Sequence, residues 1–161
     1  MDMSRLRGVT GHTDLASILR RTHRKYVRHR TGIIAPYGSK EHVVEYQINP
    51  IVTDRELNKL FIASWPGHQV ATFQTVLNSS MAYVCAFKGI ELVGYVNAAW
   101  DGRAHAFILD TTVHPSYRRL GIGRQLVRNA VNEAKKRGVV WVHVDFEPQL
   151  KDFYSLCGFR P

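Results

Sequence analysis

The spacing of hydrophobic residues along the chain predicts a domain that mixes strands and helices. Runs rich in Val, Ile, Phe and Thr predict strands over residues 42–48, 81–87, 90–100, 104–113 and 139–146. Apolar residues three to four positions apart predict helices over residues 54–63, 70–77, 121–137 and 148–156. The predicted order of elements is therefore β-α-α-β-β-β-α-β-α.

Local signals mark several ends of these elements. Thr53 and Glu56 form a capping-box pattern at the start of the first helix. The pair Asp101-Gly102 predicts a hairpin between the third and fourth strands, and Gly138 predicts the end of the long helix. Residues 139–146 are continuously apolar in tendency, which predicts a central strand.

Length and composition favour one intracellular domain. At 161 residues the chain is long enough to bury a single substantial core. No apolar run approaches the ~18 residues of a membrane helix, and no apolar stretch at the N-terminus indicates a secretory signal. Cys85 and Cys157 form neither a disulfide framework nor a metal-ligand spacing. We therefore expect a cytoplasmic protein that binds neither membrane nor metal.

The net charge of +9 is concentrated near the N-terminus. Residues 1–40 contain nine Lys and Arg against two Asp, whereas residues 41–161 contain thirteen against eleven acidic residues. We interpret residues 1–40 as a basic, partly flexible extension and residues 41–161 as the folded domain. The extension is a solvated arm, a contact for RNA, DNA or an acidic protein, or an organelle presequence. The solvated arm is favoured, because no aromatic pattern suggests base stacking.

The most informative stretch runs from residue 113 to residue 126, where a strand leads through a tight basic turn into the long helix. Arg118 and Arg119 lie in this turn, and Gly121 and Gly123 open the helix. Small residues let a ligand approach the backbone, and free N–H groups at a helix start attract anions. Flanking arginines add charge-assisted hydrogen bonds of roughly 1.5–3 kcal/mol each. The turn therefore predicts a pyrophosphate site.

Two motifs, in this order, resemble those of the GCN5-related N-acetyltransferase (GNAT) superfamily. Residues 118–123 fit the acetyl-CoA loop pattern Arg/Gln-x-x-Gly-x-Gly/Ala, and residues 153–159 fit the later pattern Leu/Phe-Tyr-x-x-x-Gly-Phe. The other glycine-rich phosphate motifs fail, because Leu126 occupies the third glycine position of the dinucleotide fingerprint and no lysine follows Gly123. The resemblance covers roughly residues 41–160.

The resemblance implies an α/β (α+β) fold with a central mixed, mostly antiparallel sheet flanked by helices. The family's final strands would lie beyond Pro161, so they are missing here. We therefore expect one side of the substrate cleft to be open or filled by a partner chain. Glu147 stands where many members carry an asparagine that contacts the coenzyme.

The same resemblance implies acetyl-CoA as cosubstrate and no metal. The backbone of Val113 would hold the pantetheine arm as an added strand, and Thr111 and Thr112 would lie where this strand is irregular, near the acetyl carbonyl. The pyrophosphate would be bound by Arg118, Arg119, Leu120, Gly121, Ile122, Gly123 and Arg124.

Two residues are the first candidates for proton transfer. By resemblance Tyr154 is the general acid, and the alternative is a packed aromatic beside Phe153. Asp110 interrupts an apolar strand three residues before Val113, and a buried carboxylate is costly unless it is paired or functional. Asp110 is therefore the candidate base, with a structural hydrogen bond to backbone as the alternative. Further candidates for the base or for substrate binding are His105, His143, Asp145 and Glu147.

The leading hypothesis is a bacterial-type N-acetyltransferase in which a primary amine attacks acetyl-CoA directly in a ternary complex. Acidic residues near the cleft favour a small cationic amine. One alternative is a non-catalytic coenzyme A-binding or regulatory module, and another is a protein or aminoacyl N-acetyltransferase whose basic arm contacts nucleic acid. A homodimer is also left open.

Overall fold

The structure, a computed structural model, describes residues 9–14 and 43–160. Six strands form one sheet in the order β1-β6-β5-β4-β3-β2. The strands are β1 Val9–Asp14, β2 Val44–Ile48, β3 Ala82–Lys88, β4 Glu91–Trp100, β5 His105–Val113 and β6 Trp141–Phe146. The helices are α1 Asp54–Ser64, α2 Gln74–Ser79, α3 Ile122–Lys136 and α4 Lys151–Leu156, and single 3-10 turns cover Pro115–Tyr117 and Pro148–Leu150.

The predicted fold class is confirmed. Neighbouring strands run antiparallel, except that β5 and β6 run parallel. The parallel pair requires a crossover connection, which α3 provides. The strand over residues 141–146 lies inside the sheet between β1 and β5, as its apolar character predicted.

Strand β1 forms the edge of the sheet next to β6. It pairs antiparallel with β6 along its whole length, and His12 also forms a backbone bridge with Arg160. The edge of β6 away from β5 is thus paired within this chain, and an open or partner-filled side of the substrate cleft stays a prediction. The division into an extension 1–40 and a domain 41–161 stays a prediction, although Val9–Asp14 of that extension lie in the sheet. The arginines and lysine at 20–30 lie outside the described residues.

Each face of the sheet is covered by different helices. On one face, Leu126, Val127 and Ala130 of α3 are fully buried against strand residues such as Val96 and Ile108. Burying each such aliphatic side chain contributes ~1.5–3 kcal/mol. On the other face, α1 and the residues before α2 form a second core around the buried ring of Tyr95; its helical side consists of Leu57, Leu60, Phe61 and Phe73.

The local signals act as the sequence predicted, with one exception. Thr53 Oγ1 accepts from the Glu56 N–H and Glu56 accepts from the Thr53 N–H, which completes the capping box. Asp101 accepts the N–H groups of Arg103 and His105 in the hairpin. The helix predicted over residues 70–77 was wrong in extent, because only Gln74–Ser79 is helical. Before residue 74 the backbone is instead bonded to α1, since the Ala71 N–H donates to Asn58 and the Phe73 N–H donates to Asp54.

Candidate active site

The two parallel strands separate at the centre of the molecule. Residues 105–108 of β5 pair with residues 141–144 of β6, but β5 continues to Val113 and β6 to Phe146 without further pairing between them. Beyond Ile108, the edge of β5 that faces β6 is therefore free of strand partners within the described residues. Such an edge can accept hydrogen bonds from, and donate them to, an extended ligand.

A β-bulge lies on β5 beside this gap. Thr112 pairs with Tyr95 and Leu109 pairs with Asn97, so that Asp110 and Thr111 together oppose one residue of β4. Asp110 has a left-handed backbone, with φ of 53°. The Thr112 hydroxyl donates to the Asp110 carbonyl oxygen at 2.9 Å and accepts from the Trp65 indole N–H at 2.9 Å. The irregularity predicted at Thr111 and Thr112 is present, and α1's C-terminal Trp65 holds it in place.

Asp110 differs from its predicted environment. Its side chain is exposed rather than buried, because the bulge rotates it out of the regular alternation of β5. No side-chain hydrogen bond to Asp110 is formed within the described residues; the backbone bond at this position uses its carbonyl group. Desolvation by the surrounding protein nevertheless raises the pKa of the Asp110 carboxyl above its ordinary value. The carboxylate is thus reachable from solvent and only partly hydrated, which suits a base.

The basic turn ends in a cradle of backbone amides. Gly121 is the N-cap of α3, with φ of 81° and open space where a Cβ would lie. Arg119 also has a positive φ, of 65°. The Gln125 N–H bonds the Gly121 carbonyl, so the amides of Ile122, Gly123 and Arg124 precede the first intrahelical bond. They form the positive end of a 15-residue helix dipole.

Arg118 does not point its guanidinium into free solution. Its Nε donates to the Val113 carbonyl oxygen at 3.1 Å and its Nη2 donates to the Ser64 carbonyl oxygen at 3.1 Å. The side chain therefore ties the end of β5 to the end of α1. The backbone of Val113 was predicted to hold the pantetheine arm, and its carbonyl oxygen is bonded to this guanidinium. Arg118, Arg119, Leu120 and Arg124 are all exposed at the turn.

Three contacts that the sequence did not single out position this turn. A Cβ on Gly94 would lie 2.9 Å from Leu126 Cδ1, so glycine there lets α3 approach β4 closely. Gly123 packs in the same way against the Phe153 ring, 3.2 Å from the position of a Cβ. The Tyr117 hydroxyl donates to Glu91 at 3.1 Å. The Tyr117–Glu91 contact joins positions 26 apart in the chain, and no local pattern indicates it.

Tyr154 lies under the gap between the strands. Its ring is 5% exposed and stacks on Phe146, with centroids 5.0 Å apart. Burial raises the pKa of the Tyr154 phenol, and the neighbouring Thr111 hydroxyl opposes this shift. The phenol therefore stays protonated at neutral pH and lies beside the bulge residue Thr111. The packed-aromatic and acid roles predicted for Tyr154 are compatible in this arrangement.

The remaining candidates lie on the sheet face opposite α3. His105 Nδ1 and His143 Nε2 are 2.8 Å apart, and the Phe107 ring stacks on His143 with centroids 5.0 Å apart. The pKa of His143 is lowered by burial and then by His105 and His12, while Asp145 opposes the shift. Asp145 and Glu147 are exposed.

Glu147 is separate from this group. It precedes the 3-10 turn Pro148–Leu150, where its carbonyl accepts the Leu150 N–H at 2.8 Å and its side chain accepts from Gln149. The structure therefore brings His105 and His143 together and leaves Glu147 at the start of a turn.

The described residues, 9–14 and 43–160, contain neither a metal-ligand cluster nor a membrane-spanning helix. No group of three His, Cys, Asp or Glu side chains there is arranged to hold a metal ion. In the same part of the chain, no helix has the length and apolar character to cross a bilayer.

Known proteins share both the sequence pattern and the fold. The profile of the acetyltransferase (GNAT) family matches residues 52–159. A chloroplastic serotonin N-acetyltransferase 2 from Oryza sativa subsp. japonica is 36% identical over 67 residues, 42% of this chain and 34% of its own. The chloroplastic GCN5-related N-acetyltransferase 2 of Arabidopsis thaliana is 30% identical over 113 residues, 66% of this chain and 44% of its own. The chain thus spans less than half the length of these two relatives.

Solved structures extend the likeness to 73–80% of the chain. A GNAT family acetyltransferase from Streptococcus pneumoniae has a TM-score of 0.64 and 28% identity, covering 73% of this chain and 88% of its own. An aminoglycoside N-acetyltransferase in complex with CoA has a TM-score of 0.61 over 80% of this chain and 93% of its own. At 18% identity the second likeness concerns the fold alone.

Proposed function

Because this chain belongs to the acetyltransferase (GNAT) family, we propose that it is an acetyl-CoA-dependent N-acetyltransferase acting on a primary amine, with a small cationic amine favoured. The amine attacks directly in a ternary complex. The observation that carries this proposal is the amide cradle at Gly121, which opens beside the gap between β5 and β6. One end suits a diphosphate. The other end has a strand edge without strand partners, the exposed carboxyl of Asp110 and the buried phenol of Tyr154.

The residues of the cradle fit acetyl-CoA. Gly121 leaves open space where a side chain would block a phosphate, and the first amides of α3 face that space. Arg119 and Arg124 add positive charge at the same turn. The Arg118 guanidinium is bonded to two carbonyls, so its role in the cradle is to fix the turn rather than to pair with phosphate. Acetyl-CoA supplies the activated acetyl group as a thioester.

The acceptor must be a neutral amine. An amine with an ordinary pKa of about 10.4 is neutral in only about one part in 10³–10⁴ at pH 7, so selecting that form costs ~4–5 kcal/mol. Asp110 is the proposed base, directly or through water, because it is exposed at the bulge and its pKa is raised by desolvation. A positioned base contributes roughly 10²–10⁴-fold to such a reaction.

Tyr154 is the proposed acid. Its buried phenol has a raised pKa, so it carries a proton throughout the neutral range. The leaving thiol has an ordinary pKa near 8.5, so protonating the thiolate at neutral pH requires less free energy than deprotonating the amine. We therefore assign Tyr154 the smaller share of the rate. Cytoplasmic location, a homodimer and a nucleic-acid contact through residues 1–40 stay predictions.

The names of similar proteins support an amine acceptor. The rice relative is named for serotonin and the structural neighbour for aminoglycosides, and both compounds carry primary amino groups. The decisive experiment measures free-thiol release from acetyl-CoA over a panel of primary amines, with amine-free reactions as the control. Release that depends on the amine supports the enzyme. Tight binding of acetyl-CoA with no acetylated amine would favour the non-catalytic coenzyme A-binding module instead.

A further inference from the structure

Two buried polar atoms flank the bulge without protein partners. Within residues 9–14 and 43–160, no hydrogen-bond partner reaches the Tyr95 hydroxyl or the Asn97 carbonyl oxygen. Tyr95 is 0% exposed and Asn97 is 3% exposed. Both residues flank the same irregularity, since Tyr95 pairs with Thr112 and Asn97 pairs with Leu109. Buried polar groups are nearly always paired, so two unpaired ones at one place indicate a ligand site.

A neighbouring tyrosine hydroxyl in the same core, that of Tyr83, does have a hydrogen-bond partner. The Tyr83 hydroxyl on β3 donates to the Pro50 carbonyl oxygen at 2.7 Å. The rings of Tyr83 and Tyr95 lie 6.3 Å apart in the same core. The unpaired state of Tyr95 is therefore a property of its position at the bulge, and not of tyrosines in this core generally.

The two unpaired atoms lie on one face of the sheet. Alternation along β4 puts Tyr95 and Asn97 on the face that α1 covers through Phe61. Thr111 lies beside Tyr154, which packs in the core on the α3 side. The cradle for the diphosphate is at the start of α3. An amine bound at Tyr95 and Asn97 would therefore lie on the face opposite α3.

Exposed apolar side chains continue from this point along the same face. Leu109 pairs with Asn97 and Phe107 pairs with Ala99, so both project on the side of Asn97. Each is 41% exposed. The Phe107 ring is stacked on His143, which extends the flat surface toward β6.

We propose that Tyr95 and Asn97 bind the amino group of the acceptor, and that Leu109 and Phe107 contact its carbon skeleton. The Asn97 carbonyl oxygen accepts an N–H of the amine, and the Tyr95 hydroxyl makes the second hydrogen bond to its nitrogen. Asp110 lies next to Leu109 and takes the proton. The acceptor is thus a primary amine joined to an apolar or aromatic body, in preference to a polyhydroxylated one. This inference rests on the proposed function and adds the substrate class.

The matched pair Tyr95→Phe and Tyr83→Phe tests the amine contact. Each removes one oxygen from the same core. Tyr95→Phe should raise the KM for the amine roughly tenfold, leave the KM for acetyl-CoA unchanged, and leave the melting temperature unchanged or raised. Tyr83→Phe should lower the melting temperature, since it loses the bond to Pro50, and keep both KM values.

The outcomes separate this inference from the proposed function. If the wild-type enzyme acetylates amines and Tyr95→Phe keeps the amine KM, or raises only the acetyl-CoA KM, the amine site at Tyr95 is overturned. If the wild type acetylates no amine at all, the proposed function itself fails. For the substrate class, 2-phenylethylamine should have a higher kcat/KM than glucosamine; the reverse order would overturn the apolar contact surface.

Discussion

The cofactor cradle and the acceptor side of the gap are built in different ways. The cradle is local: Arg118, Gly121 and the first amides of α3 lie within a few residues of one another. The acceptor side is assembled from β4, β5 and β6 with groups distant in the chain, such as Asn97, Asp110 and His143. The diphosphate proposed for the cradle has a fixed shape and charge, so one short motif suffices to bind it. The two regions are joined at a few positions, since Gly94 of β4 lets α3 approach closely and the Val113 carbonyl of β5 accepts from Arg118.

The largest expected effect comes from the acceptor side. Asp110→Asn keeps the shape of the side chain and removes the base, so kcat should fall by about 10³-fold. The raised pKa of Asp110 means that wild-type activity should fall, as the pH is lowered, at a higher pH than for an ordinary aspartate. The pH profile of kcat/KM for wild type and variant measures this, and the variant should lose that acidic limb. An unchanged profile would remove Asp110 from the base role.

Tyr154→Phe should have the next largest effect. Removing the phenol oxygen leaves the ring stacked on Phe146, so the fold should persist while kcat falls by about 10²-fold. Binding of acetyl-CoA, measured by calorimetry, should stay within twofold of wild type, since the cradle is untouched. Turnover equal to wild type would leave Tyr154 as a packing residue only.

Two glycines with nearly the same backbone test the cradle itself. Gly121 has φ of 81° and Gly102 has φ of 78°, and a Cβ at either would meet open space. Gly121→Ala and Gly102→Ala should therefore each destabilise the fold by ~1 kcal/mol. Gly121→Ala alone should raise the KM for acetyl-CoA, by roughly tenfold, because its Cβ enters the space proposed for phosphate. Equal KM values for the two variants would contradict the cradle.

The smallest expected effect is that of Thr53→Ala, which should change the stability of the protein and leave its kinetics unchanged. Thr53→Ala breaks the capping box of α1, the helix that covers Tyr95, and should lower the free energy of unfolding by ~1 kcal/mol. Urea unfolding measures this change. Both KM values should remain those of the wild type. A matching rise in the amine KM would mean that α1 shapes the acceptor side as well as stabilising it.

Most elements were predictable because their signals are local. The hairpin at Asp101, the capping box at Thr53 and the helix end at Gly138 each depend on neighbours within four residues. The strand at Val9–Asp14 was not predicted, because its pairing partner β6 lies more than 120 residues away in the chain. The helix predicted over residues 70–77 began too early for a related reason: side chains of α1, distant in the chain, bond the backbone of Ala71 and Phe73, and only Gln74–Ser79 is helical.

The sequence alone determined the basic strand-to-helix turn, the family resemblance and the mixed sheet. A glycine pattern at a strand-to-helix junction dictates its own backbone geometry, and alternating apolar residues dictate which strands are buried. Only the tertiary structure decided that Asp110 is exposed in a left-handed bulge, that Arg118 is bonded to Val113 and Ser64, and that Tyr95 and Asn97 are left unpaired beside it. These features depend on strand register and on contacts between distant elements, which short-range patterns do not encode.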